Sequence, residues 1–198
     1  MSQSVLLYLL RHGPTAAAPG CLLGSTDAPL SGSGLSRLHN VIEPHLRQVE
    51  CWQCSPLRRA RQTLAYLQEH GCRISQPVYD PRLREIVFGD WELRHFAEIA
   101  AADPARVAAW QEQYLDFAFP GGEAVQAFVG RIHAKLAELR STSGSSIGIV
   151  THGGVIRTML CLALGLPPSS YLLFDVQPAS LTILELFSDG GVLRGLNL

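Results

Sequence analysis

The strongest constraint on how this chain can fold is a pair of apolar runs that end alike. Val5-Leu6-Leu7-Tyr8-Leu9-Leu10 passes straight into Arg11-His12-Gly13, and Ile147-Gly148-Ile149-Val150-Thr151 passes into His152-Gly153-Gly154. Continuous apolar runs of this length read as strands buried on both faces, as in a parallel sheet. The carboxyl ends of such strands form the rim where α/β domains bind ligands. Two strand-His-Gly junctions therefore predict two imidazoles delivered to one rim. The glycines allow a sharp turn after each strand, so that the preceding side chains face one pocket.

The residue types at that rim suit a phosphate monoester. Arg11 can grip two oxygens with its planar guanidinium. A neutral His12 with one ring nitrogen free can attack phosphorus.

Between the junctions, strand and helix signals alternate. Residues 5–10 form the first strand, and 13–30 a rim loop without period, punctuated by Pro14, Pro19, Gly20, Gly24 and Pro29. Ser31 is placed to cap a helix whose apolar face is Leu35, Leu38, Ile42, Leu46 and Val49, with Pro44 kinking it. A short strand is expected at 50–54, then a helix opened by Ser55-Pro56 and closed near His70 by Gly71. An edge strand at 76–79 precedes the loop 83–92. Asp103-Pro104 opens a helix with Val107, Trp110, Tyr114 and Phe117 on one face, and Val125, Phe128, Val129, Ile132, Leu136 and Leu139 mark a longer one. After a turn at 141–146 come the strand 147–151 and a buried helix over 155–164 that stops at Gly165. A strand at 181–187, a turn at Gly190-Gly191 and a last strand at 192–196 complete the chain. This order predicts an α/β fold, a three-layer α/β/α sandwich on a mainly parallel sheet. The length of 198 residues suits a single domain over 1–198.

A net charge of −1 gives no basic field for nucleic acid or an anionic membrane, so an anionic ligand must be held by a local cluster of cations. The first apolar run is too short for a signal peptide or a membrane span, which makes the cytoplasm the expected compartment. Of the five cysteines, Cys51 and Cys54 have the spacing of a redox or zinc pair. No second pair or histidines of suitable spacing accompany them, so they read as reduced thiols at the end of a buried strand.

Two further pieces bear on the rim. Arg58, Arg59 and Arg61 fall in the first turns of a helix, where the dipole favours an anion. Arg58 and Arg61 share a face while Arg59 points elsewhere. Either Arg59 enters the pocket and the other two are solvated, or the reverse. Glu85 stands in a loop that is otherwise apolar and aromatic, beside Phe88 and Trp91. It can serve as a general acid there, or as an ordinary ion-pair partner of Arg82 or Arg84.

In chain order, Arg11-His12-Gly13, Ser55-Pro56-Leu57-Arg58-Arg59-Ala60, Glu85 ahead of Phe88-Gly89-Asp90-Trp91-Glu92, and Thr151-His152-Gly153 resemble the motifs of the histidine phosphatase, or phosphoglycerate mutase-like, superfamily. The resemblance implies a phosphoglycerate mutase-like fold and a metal-independent phosphoric monoester hydrolase with a histidine nucleophile and no cofactor. It implies catalytic roles for His12, Arg11, Arg59, Glu85 and His152. The arginine before Ala60 is the family's second phosphate ligand, which selects Arg59. Substrate contacts are expected from Thr15, Gly24, Gly153 and Arg94, the last lying with His95 near the leaving group.

A narrower resemblance runs through Phe88-Gly89-Asp90-Trp91-Glu92-Leu93-Arg94-His95, Trp110 and Pro120-Gly121-Gly122-Glu123-Ala124-Val125-Gln126-Ala127-Phe128, which is similar to the α-ribazole-5′-phosphate phosphatases of cobalamin nucleotide-loop assembly. Leu93 stands where most relatives have glycine, and Pro14 where glutamate is common. The short stretch between Glu92 and Gly121 favours water over a second substrate as phosphoryl acceptor.

The mechanism this implies is in-line attack by His12, a phosphohistidine intermediate and its hydrolysis by water. Arg11, Arg59 and His152 neutralise the phosphoryl oxygens, and Glu85 protonates the leaving alkoxide. The expected partner is a small-molecule phosphomonoester, with a homodimer compatible and no nucleic acid or membrane. Other readings are a broad-specificity histidine phosphatase, a phosphoglycerate mutase, a phosphatase of protein phosphohistidine, and a binding module without turnover. His39, His45, His70, His95 and His133 read as surface or core residues, and Trp91 and Trp110 as core.

Overall fold

The computed structural model describes residues 4–32, 34–47, 49, 51–142 and 146–198. Six strands form one sheet: β1 (Val5–Arg11), β2 (Cys51–Cys54), β3 (Val78–Tyr79), β4 (Ser146–Thr151), β5 (Leu181–Leu186) and β6 (Gly191–Gly195). Their spatial order is β3-β2-β4-β1-β5-β6. The first four are mutually parallel, while β5 runs antiparallel to β1 and β6 antiparallel to β5.

The central strand explains the layers. Along β1 successive side chains point to opposite faces. Leu7 and Leu9 join a core with Phe128, Ile132, Leu136, Val155 and Met159, whereas Tyr8 and Leu10 join one with Leu38, Ile42, Leu46, Leu64 and Leu67. Both faces are therefore covered by helices, as the unbroken apolar run requires. One cover is made of α3 (Phe96–Ala102), α4 (Pro104–Glu112), α5 (Val125–Arg140) and α6 (Gly153–Ala163), and the other of α1 (His39–Val41) and α2 (Arg58–Glu69). This is the three-layer α/β/α architecture, on a mixed sheet whose parallel part carries the rim.

Several elements differ from the sequence reading for local reasons. The segment after the rim loop starts at Leu35 rather than at a Ser31 cap, with Gly34 before it at φ 99°. It runs as a 3-10 turn (Leu35–Leu38), the short α1 and a π turn (Ile42–Leu46). Pro44 has no N–H to give its i−4 carbonyl, and the chain closes the turn with Arg47 N–H donating to Ile42 O at 2.9 Å. Helix α2 begins at Arg58, later than the Ser55-Pro56 signal, because its first free N–H finds Asp27 Oδ1 at 2.6 Å. Gly71 follows its end at φ 99°, as expected. Helix α3 was not legible in the alanine-rich stretch; His95 and Glu98 close a capping box at its start. The face Val107, Trp110, Tyr114, Phe117 is divided, since α4 ends at Glu112 and Tyr114 lies in a 3-10 turn (Tyr114–Asp116). Of the expected strand at 50–54 and turn at 141–146, residues 50 and 143–145 lie outside the described residues.

Register does the positioning. Leu10 pairs with Val150 and Arg11 with Thr151, so the residues that follow, His12 and His152, leave the sheet side by side. Cys54 of β2 also pairs with Val150, which brings Ser55 to the same level on the other flank of β4.

Candidate active site

The two histidine rings meet at the rim with centroids 5.0 Å apart, at an interplanar angle of 61°. His12 Nδ1–H donates to the carbonyl of Gly13 at 2.7 Å. That bond settles the tautomer and leaves Nε2 with its lone pair. Burial, reinforced by Arg59 and then Arg11 and only partly opposed by the Gly13 carbonyl, pushes the His12 pKa down to about 3. The ring is thus neutral and nucleophilic at Nε2. Gly13 is itself held by its N–H donating to Thr63 Oγ1 of α2 at 3.1 Å, and a Cβ there would meet Leu35 Cδ2 at 2.5 Å.

Arg59 resolves the choice among the three arginines. Arg58 and Arg61 are exposed and Arg59 is fully buried. Its Nε–H donates to His12 Nε2 at 3.2 Å, and its terminal nitrogens donate to Thr26 O at 2.9 Å and Gly24 O at 2.7 Å. Arg11 anchors one terminal nitrogen on Val176 O and leaves Nε buried without a partner. His152 is fully buried: Nε2 lies 2.7 Å from Ser55 Oγ, and Nδ1 has no partner. Desolvation first, then His12, Arg59 and Arg11, hold its pKa well below the usual histidine value.

Glu85 faces this group. Its Oε2 accepts from Gly154 N–H at the start of α6 at 2.9 Å, and its Oε1 from Ile86 N–H at 3.1 Å. Its charge acts on both Arg11 and Arg59. Of the two partners a simple ion pair could use, Arg82 is taken by Asp80 and Glu138, and Arg84 donates its Nε–H to Pro81 O at 3.2 Å.

A cavity of about 780 Å³ opens beside these groups, lined by Arg11, His12 and Glu85 but not by the fully buried Arg59 and His152. Its walls include Arg11, His12, Glu85, Gly153, Gly154, Thr15 and Arg157, and farther out Phe88, Phe96, Trp110, Tyr114 and Tyr171. Thr15 and Gly153 thus lie on the cavity wall. Gly24 and Arg94 are not on this wall. Gly24 N–H donates to Glu92 Oε2 at 3.1 Å, and its carbonyl accepts from the Arg59 guanidinium at 2.7 Å. Arg94 uses its backbone to hold the rim loop, its carbonyl accepting from Leu22 N–H at 3.0 Å. The left-handed backbone that glycine would suit is present at Leu93, with φ 60°. Trp91 is core, but Trp110 packs on it and also reaches the cavity.

Four supporting residues escaped sequence reasoning. Glu92 gathers Gly24 N, Ser25 N, Thr26 N and Phe88 N, tying the rim loop to the Glu85 loop. Arg131 of α5 donates to the carbonyls of Arg82, Arg84 and Glu85 and to Glu123, which fixes the backbone that presents Glu85. Ser55, read as a helix cap, contacts His152 instead. Arg157 adds a cation on the same helix face as Gly153 and Gly154, its Nε–H donating to Phe174 O at 2.8 Å.

A buried neutral histidine backed by two arginines, a second histidine and a carboxylate is machinery for phosphoryl transfer. The family model of the histidine phosphatase superfamily (branch 1) matches residues 7–198. The chain belongs to this superfamily. Within it, the chain is 31% identical to the adenosylcobalamin/alpha-ribazole phosphatase of Salmonella typhimurium, across 96% of this chain and 95% of that one. It is also 31% identical to a probable phosphoglycerate mutase of Enterobacter sp., across 81% of this chain and 75% of that protein. The alpha-ribazole phosphatase of Shigella flexneri superposes with a TM-score of 0.82 at 30% identity, covering 98% of this chain and 96% of its own. The five cysteines are free thiols. Among the described residues, no helix is long and apolar enough to cross a membrane.

Proposed function

We propose that this histidine phosphatase hydrolyses a small-molecule phosphomonoester through a phosphohistidine, and that α-ribazole 5′-phosphate is its substrate. The observation that carries the reaction class is the hydrogen bond from His12 Nδ1 to Gly13, which leaves Nε2 unprotonated; the Arg59 Nε–H that Nε2 accepts at 3.2 Å passes to a phosphoryl oxygen when Nε2 attacks. His12 Nε2 attacks phosphorus in line, forming the N–P bond as the bond to the leaving oxygen breaks. Glu85 in its protonated form gives that oxygen a proton. The resulting carboxylate then takes a proton from the water that hydrolyses the N–P bond. Arg11 and Arg59 hold the charge on the other oxygens throughout.

The substrate reading is supported by near full-length likeness to phosphatases of that name. It is also supported by the aromatic outer wall, Phe96, Trp110, Tyr114 and Tyr171, which suits the benzimidazole ring carried by the leaving ribosyl alcohol. The test is a comparison of kcat/KM for α-ribazole phosphate, phosphoglycerates, nucleotides, sugar phosphates and a phosphohistidine protein, with His12→Ala as control and chelator added in parallel. The expected outcome is a preference for α-ribazole phosphate of at least about tenfold, untouched by chelator and absent from the variant. Equal turnover across the panel would defeat the substrate assignment, and turnover in His12→Ala the mechanism.

A further inference from the structure

We infer that Ser55 is a positioning residue that fixes the tautomer of His152, its hydroxyl donating to Nε2 so that Nδ1–H meets the phosphoryl group as a neutral donor. This rests on the reading of His152 as a phosphoryl contact.

Ser55 is fully buried just past the end of β2, its backbone N–H donating to Val150 O at 2.9 Å. Its Oγ lies 2.7 Å from His152 Nε2 and accepts the Leu57 N–H at 3.4 Å. A hydroxyl has one hydrogen and two lone pairs. With one lone pair facing Leu57, the short contact can be written in only two ways. If Nε2–H donated to Oγ, the serine hydrogen would be left over in a buried site. Nδ1 would then be a bare lone pair, repelling any phosphoryl oxygen brought up to it. If Oγ–H donates to Nε2, the serine hydrogen is used and the proton stays on Nδ1. Nδ1 is also the one buried nitrogen of the ring with no partner in the protein, so its donor is free for a ligand, and the ring that carries it lies 5.0 Å from the His12 ring, centroid to centroid. A buried donor without a partner is costly, and a phosphoryl oxygen relieves that cost on binding.

The consequence alters the division of labour expected from the sequence. His152 contributes a directed hydrogen bond, not a charge. The positive charge on the phosphoryl group comes from Arg11 and Arg59, whose proximity disfavours an imidazolium between them.

The experiment is ¹⁵N–¹H correlation of the histidine ring nitrogens in uniformly labelled protein near neutral pH, with and without inorganic phosphate. Expected for His152 are a pyridine-type Nε2 and a pyrrole-type Nδ1, with the Nδ1 proton shifting when phosphate is added. Ser55→Ala should mix the tautomers and lower kcat/KM on an aryl phosphate about tenfold, a loss of one hydrogen bond's worth. Ser55→Thr, which keeps the hydroxyl, should restore both. A pyrrole-type Nε2 or a doubly protonated ring in the wild-type protein overturns the inference even if the variants do not fold, and so does an unchanged ring spectrum in Ser55→Ala. Absence of phosphatase activity with the expected ring spectrum would count against the proposed function and leave the tautomer assignment standing.

Discussion

The Nε–H of Arg59 donates to His12 Nε2 across 3.2 Å, so the proposed nucleophile and a proposed phosphate ligand are in direct contact. The arrangement is set from a distance. Glu92 gathers the N–H groups of Gly24, Ser25 and Thr26, and the carbonyls of Gly24 and Thr26 then hold the far end of the guanidinium. One carboxylate thereby aims an arginine that aims a histidine.

Lysine cannot reproduce that fork. Arg59→Lys keeps a charge but loses the simultaneous grip on His12, Thr26 and Gly24. Steady-state rates on an aryl phosphate should show kcat/KM lower by about 10²-fold or more, with the exposed Arg58→Lys within about twofold of wild type. Comparable losses in the two variants would show that the buried arginine has no special part.

Glu92→Gln tests the tether from its other end. An amide nitrogen cannot accept, so at least one backbone N–H now satisfied by the carboxylate is orphaned. Urea unfolding should report a loss of about 1–3 kcal/mol, with kcat/KM falling as Arg59 loosens. An unchanged unfolding midpoint and slope would refute the tether.

Gly154→Ala separates acid catalysis from folding. A Cβ at this position would lie 2.3 Å from Glu85 Oε1, and the flexible carboxylate, not the helix, must yield. Alanine is the better helix former by up to about 1 kcal/mol, so the melting temperature should hold or rise. Turnover should fall sharply for an alkyl phosphate, whose leaving group needs a proton, and little for an activated aryl phosphate. Equal falls on both substrates would argue against Glu85 as the acid.

Acid should weaken the fold through His12. Its folded pKa is about 3 against an ordinary 6.5, so below 6.5 the unfolded chain takes up a proton that the folded one refuses. The unfolded state binds more protons in that window, and stability therefore falls as pH falls through it. Between pH 7 and pH 5 one such histidine costs about 2 kcal/mol. Urea unfolding at the two pH values should show His12→Asn losing less than the wild type over this interval; parallel losses would contradict the shifted pKa.

Much of this molecule could be read directly from the chain. The two strand-His-Gly junctions predicted a shared rim because apolar continuity and a glycine turn are local properties. The long α5 followed from its spacing of apolar residues in the same way. The residues that complete the site were not legible by such means. Glu92, Arg131 and Ser55 act on backbone groups and on a ring far away in sequence, and no local period marks that use. The backbone hydrogen bonds of Gly24 to Glu92 and Arg59 and of Arg94 to Leu22 were likewise not legible, since each joins residues far apart in sequence. The helix rule on its own left Arg58, Arg59 and Arg61 undecided; burial of Arg59 against the rim loop decided it. The sequence by itself determined which chemistry was at hand, because residue type sets charge, nucleophilicity and turn. Only the tertiary structure decided how each group is aimed, because parallel register and long-range hydrogen bonds assign the lone pairs and protons.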